Sequence, residues 1–140
     1  MPEAIRRARD MVANMNPVLA GAEFVFCSTA DPSLIAKARP LALGSFREDE
    51  GVTLILPLEA AQRLDFPHDL PMRRIELTVN SALDGVGLTA SVAAALAAEE
   101  IPCNVVAAFH HDHVFVPSPK AERALVVLKA LQAASGGSKE

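Results

Sequence analysis

The sequence predicts an α+β fold built from two small modules, and three observations support this prediction. The chain has 140 residues, enough for one ordinary domain or two very small ones. Hydrophobic residues make up 51% and charged residues 21%, a balance that favours a packed core over disorder. The apolar pattern of the second half predicts strand–helix–strand–strand–helix, and the first half predicts, more faintly, helix–strand–strand–strand–helix.

The first half begins with a predicted amphipathic helix over residues 2–16. Its apolar stripe consists of Ile5, Ala8, Val12 and Met15. The pair Asn16 and Pro17 ends this helix. The elements expected next are a strand, the two strands of a hairpin, a short helix and a linker, at residues 23–29, 41–47, 52–56, 57–64 and 65–72.

The second half opens on an unambiguous strand, because Ile75, Leu77 and Val79 alternate with polar residues. Ser118 and Pro119 suit the N-cap and first turn of the last helix. The elements expected between them are a turn, a helix and two strands, at residues 80–85, 86–99, 103–109 and 113–116. These elements divide the chain into an N-terminal module at 1–70, a C-terminal module at 71–134 and a solvated, disordered tail at 135–140.

The order strand–helix–strand–strand–helix is the ferredoxin-like plan without its final strand. The predicted strand at residues 24–28 is the natural donor of that missing strand. If it fills this position, the two halves interlock into one cooperative unit. Such an arrangement also avoids the marginal stability of a core built from about 65 residues alone.

Composition excludes several classes of function. The formal charge is −4, aromatic residues make up 4%, and neither Trp nor Tyr occurs, so we expect no nucleic-acid partner. The longest apolar stretch, residues 88–98, is too short to span a membrane, and the N-terminus lacks the apolar core of a secretory signal. Cys27 and Cys103 are expected to be reduced thiols, with a disulfide or a catalytic thiol as the alternatives. We therefore expect a cytoplasmic protein.

The most suggestive turn joins the first strand of the second half to the helix after it. Gly85 and Gly87 allow close approach to the backbone, and the first N–H groups of the helix attract a carboxylate or phosphate. Asp84 prefers an amine, so the turn suits a zwitterion. A plain turn in which Asp84 caps the helix explains the same residues. The residues match neither a P-loop nor a dinucleotide fingerprint.

The run from His110 to His113 includes Asp112 and allows three interpretations. It is a metal site, a hairpin turn in which Asp112 bonds its own backbone, or a turn in which Asp112 faces a ligand. Because neighbouring strand residues point to opposite faces, these side chains do not converge easily, and we expect no metal. His68 is the only other histidine.

No residue pattern points to an enzyme or to a cofactor. Ser81 lacks the glycines of a nucleophile elbow, and the acidic runs at 48–50 and 99–100 are explained by solvated charge. A metal- or thiol-dependent enzyme is the weakest of the interpretations, and we predict a protein without catalytic activity.

The second half resembles a known family. The segment IELTVNSALDGVGLTASVAAALAAEEIPCNVVAAFHHDHVFVP, followed by AERALVVLKAL, resembles the ACT domain. It is similar to bacterial stand-alone proteins with two ACT-like halves and to the C-terminal half of CASTOR-type arginine sensors. The resemblance is strong over residues 74–131. It is weaker over 24–64, where FVFCS and FREDEGVTLIL resemble a degenerate first module.

The resemblance implies two interlocked βαββαβ modules, side-by-side pairing of modules and a ligand that is usually an amino acid. The ligand-contacting positions that it implies are Asp84, Gly85, Val86, Gly87, Leu88, Ala108, Phe109 and Asp112. Ala108 stands where the arginine sensors have a hydroxyl residue, so the implied ligand is an amino acid or similar zwitterion rather than arginine itself. The function expected is a homodimeric regulatory sensor. The alternative is an oligomerisation or protein-interaction module with a degenerate ligand pocket.

Overall fold

The computed structural model of the chain describes residues 5–79 and 81–137, with the backbone alone at residues 5, 6, 81–85 and 137. The chain divides into two compact units. Unit 1 comprises the residues up to Gly21 and those from Arg73 onward, and unit 2 is Ala22–Met72. The start of the chain therefore belongs with the C-terminal half, whereas the division expected at residue 70 places it in the first module.

Helices and strands follow one another closely along the chain. Up to the end of unit 2 they are β1 Ile5–Arg7, α1 Ala8–Ala13, β2 Pro17–Thr29, α2 Pro32–Ala38, β3 Gly44–Glu48, β4 Gly51–Pro57 and α3 Leu58–Arg63. The remainder are β5 Met72–Leu77, β6 Ser81–Val86, α4 Leu88–Ala98, β7 Asn104–Ala107, β8 Asp112–Pro117 and α5 Ala121–Gln132. Short 3₁₀ turns occupy Arg39–Leu41 and Ser118–Lys120, and a wider helical turn follows α5 at Ala133–Gly137.

Unit 2 contains the predicted strand, hairpin and short helix. Residues 24–29 of β2 pair antiparallel with β4, and β4 pairs antiparallel with β3. Alternate strand residues face α2 and α3 because a pleated strand presents every second side chain to the same side. The core residues are Val25, Cys27, Ala38, Val52, Leu54, Leu56, Ala61 and Phe66. Phe66 lies in the predicted linker, yet it is only 5% exposed, so that segment is anchored to the core.

Unit 1 has its core between a sheet and helices α1, α4 and α5. In the sheet, β8 lies between β5 and β7, and its pairing with β7 is antiparallel. The buried apolar core residues are Met11, Val12, Met15, Ile75, Leu77, Val79, Leu88, Val92, Leu96, Ile101, Val114, Val116, Ala121, Ala124 and Leu128. These residues explain why the first residues of the chain belong to this unit.

The structure corrects two predictions at the start of unit 1. The helix expected over residues 2–16 is only Ala8–Ala13, because Ile5–Arg7 forms a strand that pairs in parallel with β6. The donor strand is also different. Residues 24–28 pair within unit 2, whereas β2 extends back to Pro17, and its first part is the neighbour of β5 in unit 1. Leu19 packs on the unit 1 core, which fixes this segment there.

Three further predictions require correction. The turn expected at residues 80–85 is strand β6 from Ser81 onward, while Asn80 lies outside the described residues. Ser118 is not an N-cap, because its hydroxyl is buried without a hydrogen-bond partner among the described residues. The tail expected from residue 135 begins as a helical turn after α5, where Ser135 Oγ lies 3.1 Å from the Leu131 carbonyl, and the backbone leaves the helical conformation at Gly136, whose φ is +98°. Residues 138–140 lie outside the described part.

None of the helices in the described part of the chain combines the length and the apolar character needed to cross a membrane.

Candidate ligand site at the start of helix α4

None of the described side chains caps the start of helix α4. Its N-cap residue is Gly87, no acidic residue stands in its first turn, and no cap hydrogen bond from a described side chain is present. The Gly87 carbonyl accepts the first helical hydrogen bond, from Ser91 N–H at 2.9 Å. The preceding N–H groups have no partner within the helix and carry part of the positive end of its dipole. This end of α4 therefore suits a carboxylate.

Gly87 has a structural role that is independent of any ligand. Its φ is +103°, a conformation that favours glycine, and a Cβ at this position would lie 2.5 Å from the Cβ of Ala8. Both the backbone conformation and the packing of α1 therefore require a residue without a side chain. Close approach by a ligand is not needed to explain this glycine.

The other predicted residues of the loop have different surroundings. Asp84 and Gly85 lie in β6, in the segment that the structure describes by its backbone alone. Val86 is 76% exposed, whereas Leu88 is 4% exposed and packs in the core of unit 1. Leu88 therefore offers a ligand its N–H group and not its side chain.

Asp112 is the one buried charged residue in the described part of the chain, with 6% exposure. It begins β8 and lies on the same face of that strand as Val114 and Val116, which face the helices. Burial raises the pKa of its carboxyl, and the neighbouring charges of His113 and His111 oppose that shift. Its oxygens are not among the buried side-chain atoms of the described residues that lack a hydrogen-bond partner. An ionised carboxylate only accepts hydrogen bonds, so the chemistry of this group suits an amine.

The hairpin before Asp112 is closed by the backbone. Ala108 N–H donates to the His111 carbonyl at 3.1 Å, so a backbone hydrogen bond closes this turn. Ala108 and Phe109 are exposed, and the Phe109 ring contacts His110 edge-on, with 5.1 Å between ring centres. Of the three predicted hairpin residues, only Asp112 is turned inward.

His111 connects this hairpin to the strand that leads into the candidate loop. Its Nδ1 lies 3.2 Å from the carbonyl of Val79, so Nδ1 carries the proton and donates. Its Nε2 lies 4.0 Å from a carboxylate oxygen of Glu76. The sequence pattern indicates His111 only as a candidate metal ligand. The positioning role was missed because the pairing of β5 with β8 is not visible in the spacing of the residues.

The histidine cluster and the cysteines provide no metal or nucleophile site in the described part of the chain. His113 Nδ1 lies 3.2 Å from Arg74 Nη1, and burial and this guanidinium lower the pKa of His113. Within the described residues, no three His, Cys, Asp or Glu side chains are grouped so as to hold a metal. Cys27 and Cys103 are free, and burial raises the pKa of both thiols, which disfavours the reactive thiolate.

Comparison with known families settles the fold. One ACT domain model matches residues 4–73 and a second ACT domain model matches residues 71–130. The chain belongs to the ACT domain family. ACT domains are regulatory, ligand-binding domains, and two of them in tandem agree with the α+β fold of two ferredoxin-like modules predicted from the sequence.

Solved structures give the same result for this ACT protein. A protein of unknown function from Vibrio cholerae, named as a possible transport protein, is 37% identical, with a TM-score of 0.76 over 86% of this chain and 92% of that chain. A protein from Agrobacterium tumefaciens is 18% identical, with a TM-score of 0.65 over 83% and 87% of the two chains. The regulatory subunit of aspartate kinase from Thermus thermophilus is 12% identical, with a TM-score of 0.62 over 85% and 97%. No curated protein matches the sequence.

Proposed function

We propose that this protein is a non-enzymatic regulatory sensor whose C-terminal ACT module binds an amino acid or a similar zwitterion. The observation that carries the proposal is the Asp112 carboxylate, the one buried charged group in the described part of the chain. It lies on the helix-facing side of the sheet, in the unit in which α4 begins without a side-chain cap. One group suits an amine and the other suits a carboxylate.

The carboxylate of the ligand would bind the first N–H groups of α4. A helix of 11 residues presents about half a positive charge at its start, and the N–H groups of Leu88, Thr89 and Ala90 have no partner within the helix. A carboxylate would satisfy these groups directly. Gly87 keeps this end free of a side chain.

The amine of the ligand would bind Asp112, with Asp84 as the second acidic candidate. An ionised carboxylate only accepts hydrogen bonds, and a charge-assisted bond to an ammonium contributes about 1.5–3 kcal/mol. His111 would support Asp112 from outside the contact, because its bond to Val79 fixes the hairpin against β5. The ligand class is an amino acid in general, and arginine itself is disfavoured on the ground of Ala108, as the sequence resemblance to CASTOR-type sensors implies.

Exposed apolar side chains favour a second candidate function, an oligomerisation or protein-interaction module. Val86, Val106 and Phe109 of unit 1 are 76%, 38% and 72% exposed. Strand β7 is also the last strand of its sheet in the described part of the chain, and strand edges are common pairing surfaces. We propose a cytoplasmic homodimer in either case, without nucleic-acid or membrane partners.

A thermal-shift screen of the intact protein against the twenty amino acids separates the two functions. A ligand present at 100 times its dissociation constant stabilises by about 2.7 kcal/mol, which raises the melting temperature by roughly 8–12 °C for a chain of this size. A shift with one or a few amino acids supports the sensor. Unchanged melting with all twenty, together with a dimer in light scattering, supports the interaction module.

A further inference from the structure

The N-terminal strand covers one edge of the candidate loop. Strand β1 pairs in parallel with β6, with Ile5 opposite Ser81 and Arg7 opposite Val86. These two strands form a sheet of their own, separate from the larger sheet. The backbone edge that leads into Gly87 and α4 is therefore occupied by residues from the start of the same chain.

The cover extends to the start of α4. Ala8, the first residue of α1, lies so close to Gly87 that a Cβ there would be 2.5 Å from the Ala8 Cβ. Strand β1 thus follows β6 along its length and ends beside the residue at which α4 begins. The predicted contacts Asp84, Gly85 and Val86 lie in β6, so a ligand that uses their backbone meets β1 as a competitor for the same strand.

The β1–β6 pair is built to open more easily than the helix that follows it. The pair consists of two strands only, and β1 has just three residues. The register of the pair also shifts between Ile5 and Arg7. An isolated two-stranded pair is marginal in water. Helix α1, in contrast, is anchored by Met11 and Val12, which are 1% and 3% exposed. The strand can therefore leave β6 while α1 stays in the core, with the bend at the junction of Arg7 and Ala8.

We propose that β1 is a displaceable strap over the edge of β6, and that an amino acid binds only after the strap has left. The inference rests on the proposed sensor function and assigns its regulation to this chain's own N-terminus. Because only the open form binds, the apparent affinity equals the intrinsic affinity multiplied by the open fraction. Any partner or modification that holds β1 away from β6 would then raise the sensitivity of the sensor.

A reversible cross-link tests the strap. The variant Ile5→Cys, Ser81→Cys joins two register partners, whose Cα atoms in a parallel pair are close enough for a disulfide. Neither residue is among the proposed ligand contacts, and Cys103→Ser in the background removes the thiol that is not fully buried. In calorimetric titration with each amino acid that stabilises the wild-type protein, the oxidised form is expected to bind at least a hundredfold more weakly than the same protein after reduction.

A second variant opens the strap. Arg6→Pro, Arg7→Pro removes two consecutive N–H groups, one of which must face β6 because neighbouring strand N–H groups alternate in direction. Proline fits the backbone at Arg7, where φ is −80° and ψ is 133°. We expect about tenfold tighter apparent binding than in the matched control Arg6→Ala, Arg7→Ala, which loses the same charges and keeps the N–H groups.

The outcomes distinguish the strap from the sensor function. Equal affinity in the oxidised and reduced forms, or no gain with the proline variant relative to its alanine control, overturns the strap and leaves the sensor function intact. If no amino acid binds the wild type or the proline variant, both proposals are wrong. Binding that is lost on oxidation, restored by reduction and strengthened by proline establishes the strap.

Discussion

The starts of helices α2 and α4 differ in whether a described side chain caps the first N–H groups, and this property decides whether an anion can bind there. Helix α2 follows strand β2 in the first ACT module, and helix α4 follows strand β6 in the second. Helix α2 is capped by Asp31, whose carboxylate accepts the N–H of Ser33 at 3.1 Å, and Pro32 stands in its first turn. Helix α4 is preceded by Gly87, which has no side chain to offer. The first module closes its helix start with its own carboxylate, whereas none of the described side chains does so in the second.

On the basis of this difference we propose that the ligand binds to the C-terminal module. A carboxylate that arrives at α2 would have to displace Asp31 and would meet a proline that lacks an N–H group. Helix α2 also has seven residues against eleven in α4, so fewer peptide dipoles are aligned behind its first turn. In this proposal the first module has mainly a structural role and the second binds the ligand.

The largest expected effect is on Gly87 itself. Gly87→Ala places a Cβ 2.5 Å from that of Ala8 on a backbone with φ of +103°, so we expect a loss of roughly 3 kcal/mol in the free energy of unfolding. Gly44→Ala is the matched control, since its Cβ would meet only Ile55 Cδ1, at 3.9 Å. Urea denaturation measures both.

The double variant Ala8→Gly, Gly87→Ala separates packing from backbone strain. We expect it to recover about 1–2 kcal/mol relative to the additive sum, because it removes the clash and leaves the strained φ. Strict additivity of the two substitutions would show that Ala8 and Gly87 are not in contact.

Asp112→Asn should act on stability and on binding in opposite directions. Because burial raises the pKa of Asp112, its favourable contribution to stability is complete below the ordinary value of 3.8 and is lost as the pH rises through the raised value. We expect the free energy of unfolding of the variant at pH 7 to be higher by about 0.5–2 kcal/mol, which raises its melting temperature. Below pH 3.8 we expect no such gain in stability.

The same variant should bind an amino acid ten- to a hundredfold more weakly, since the charge-assisted contact to the ammonium is lost. Melting curves against pH and calorimetric titration measure the two effects separately. Lower stability at pH 7 with unchanged affinity would contradict the role of Asp112 in the site.

Asp31→Ala tests the role of the side-chain cap at the start of helix α2. Removal of an N-cap carboxylate costs about 1 kcal/mol, so we expect that loss in the free energy of unfolding and no change in amino-acid affinity. Asp31→Asn is the matched control, because an amide oxygen caps nearly as well. A loss of affinity in Asp31→Ala would place the ligand in the first module and break the comparison.

The smallest expected effect is at the third helix start. Ser118 was predicted as an N-cap, yet its hydroxyl is buried without a partner in the described structure. Ser118→Ala should therefore leave stability unchanged or raise it by up to about 1 kcal/mol, whereas loss of a true cap would lower it by a similar amount. The sign of the shift in the melting temperature decides between the two.

The sequence was sufficient to predict the strands and turns that are determined by the pattern of neighbouring residues. Ile75 and Leu77 alternate with polar neighbours and form β5, and the acidic turn before Gly51 joins two strands as predicted. The paired modules also followed from the residues that resemble ACT domains. In these segments, periodicity and turn chemistry agree with the tertiary structure.

The failures occurred where distant segments meet. Ile5 completes a helical stripe in the sequence, but its pairing with Ser81 makes it a strand. The first part of β2 is weakly β-forming, and its place beside β5 depends on the burial of Leu19 in the core of unit 1. At the candidate site, Asp112 was predicted from the residue pattern and from the family resemblance, and its role stays a prediction, whereas the contact of His111 with Val79 depends on strand pairing that no spacing reveals.

The most direct test of the central claim is an amide chemical-shift titration of the ¹⁵N-labelled protein with an equimolar mixture of the twenty amino acids. The N–H groups of residues 88–90 in α4 and of residues 33–35 in α2 give separate signals in the same spectrum, so the two helix starts are compared directly. We predict saturable shifts at 88–90 and none at 33–35, where Asp31 already holds the Ser33 N–H. Saturable shifts at 33–35, or none at 88–90, would contradict the assignment of the ligand to the open helix start.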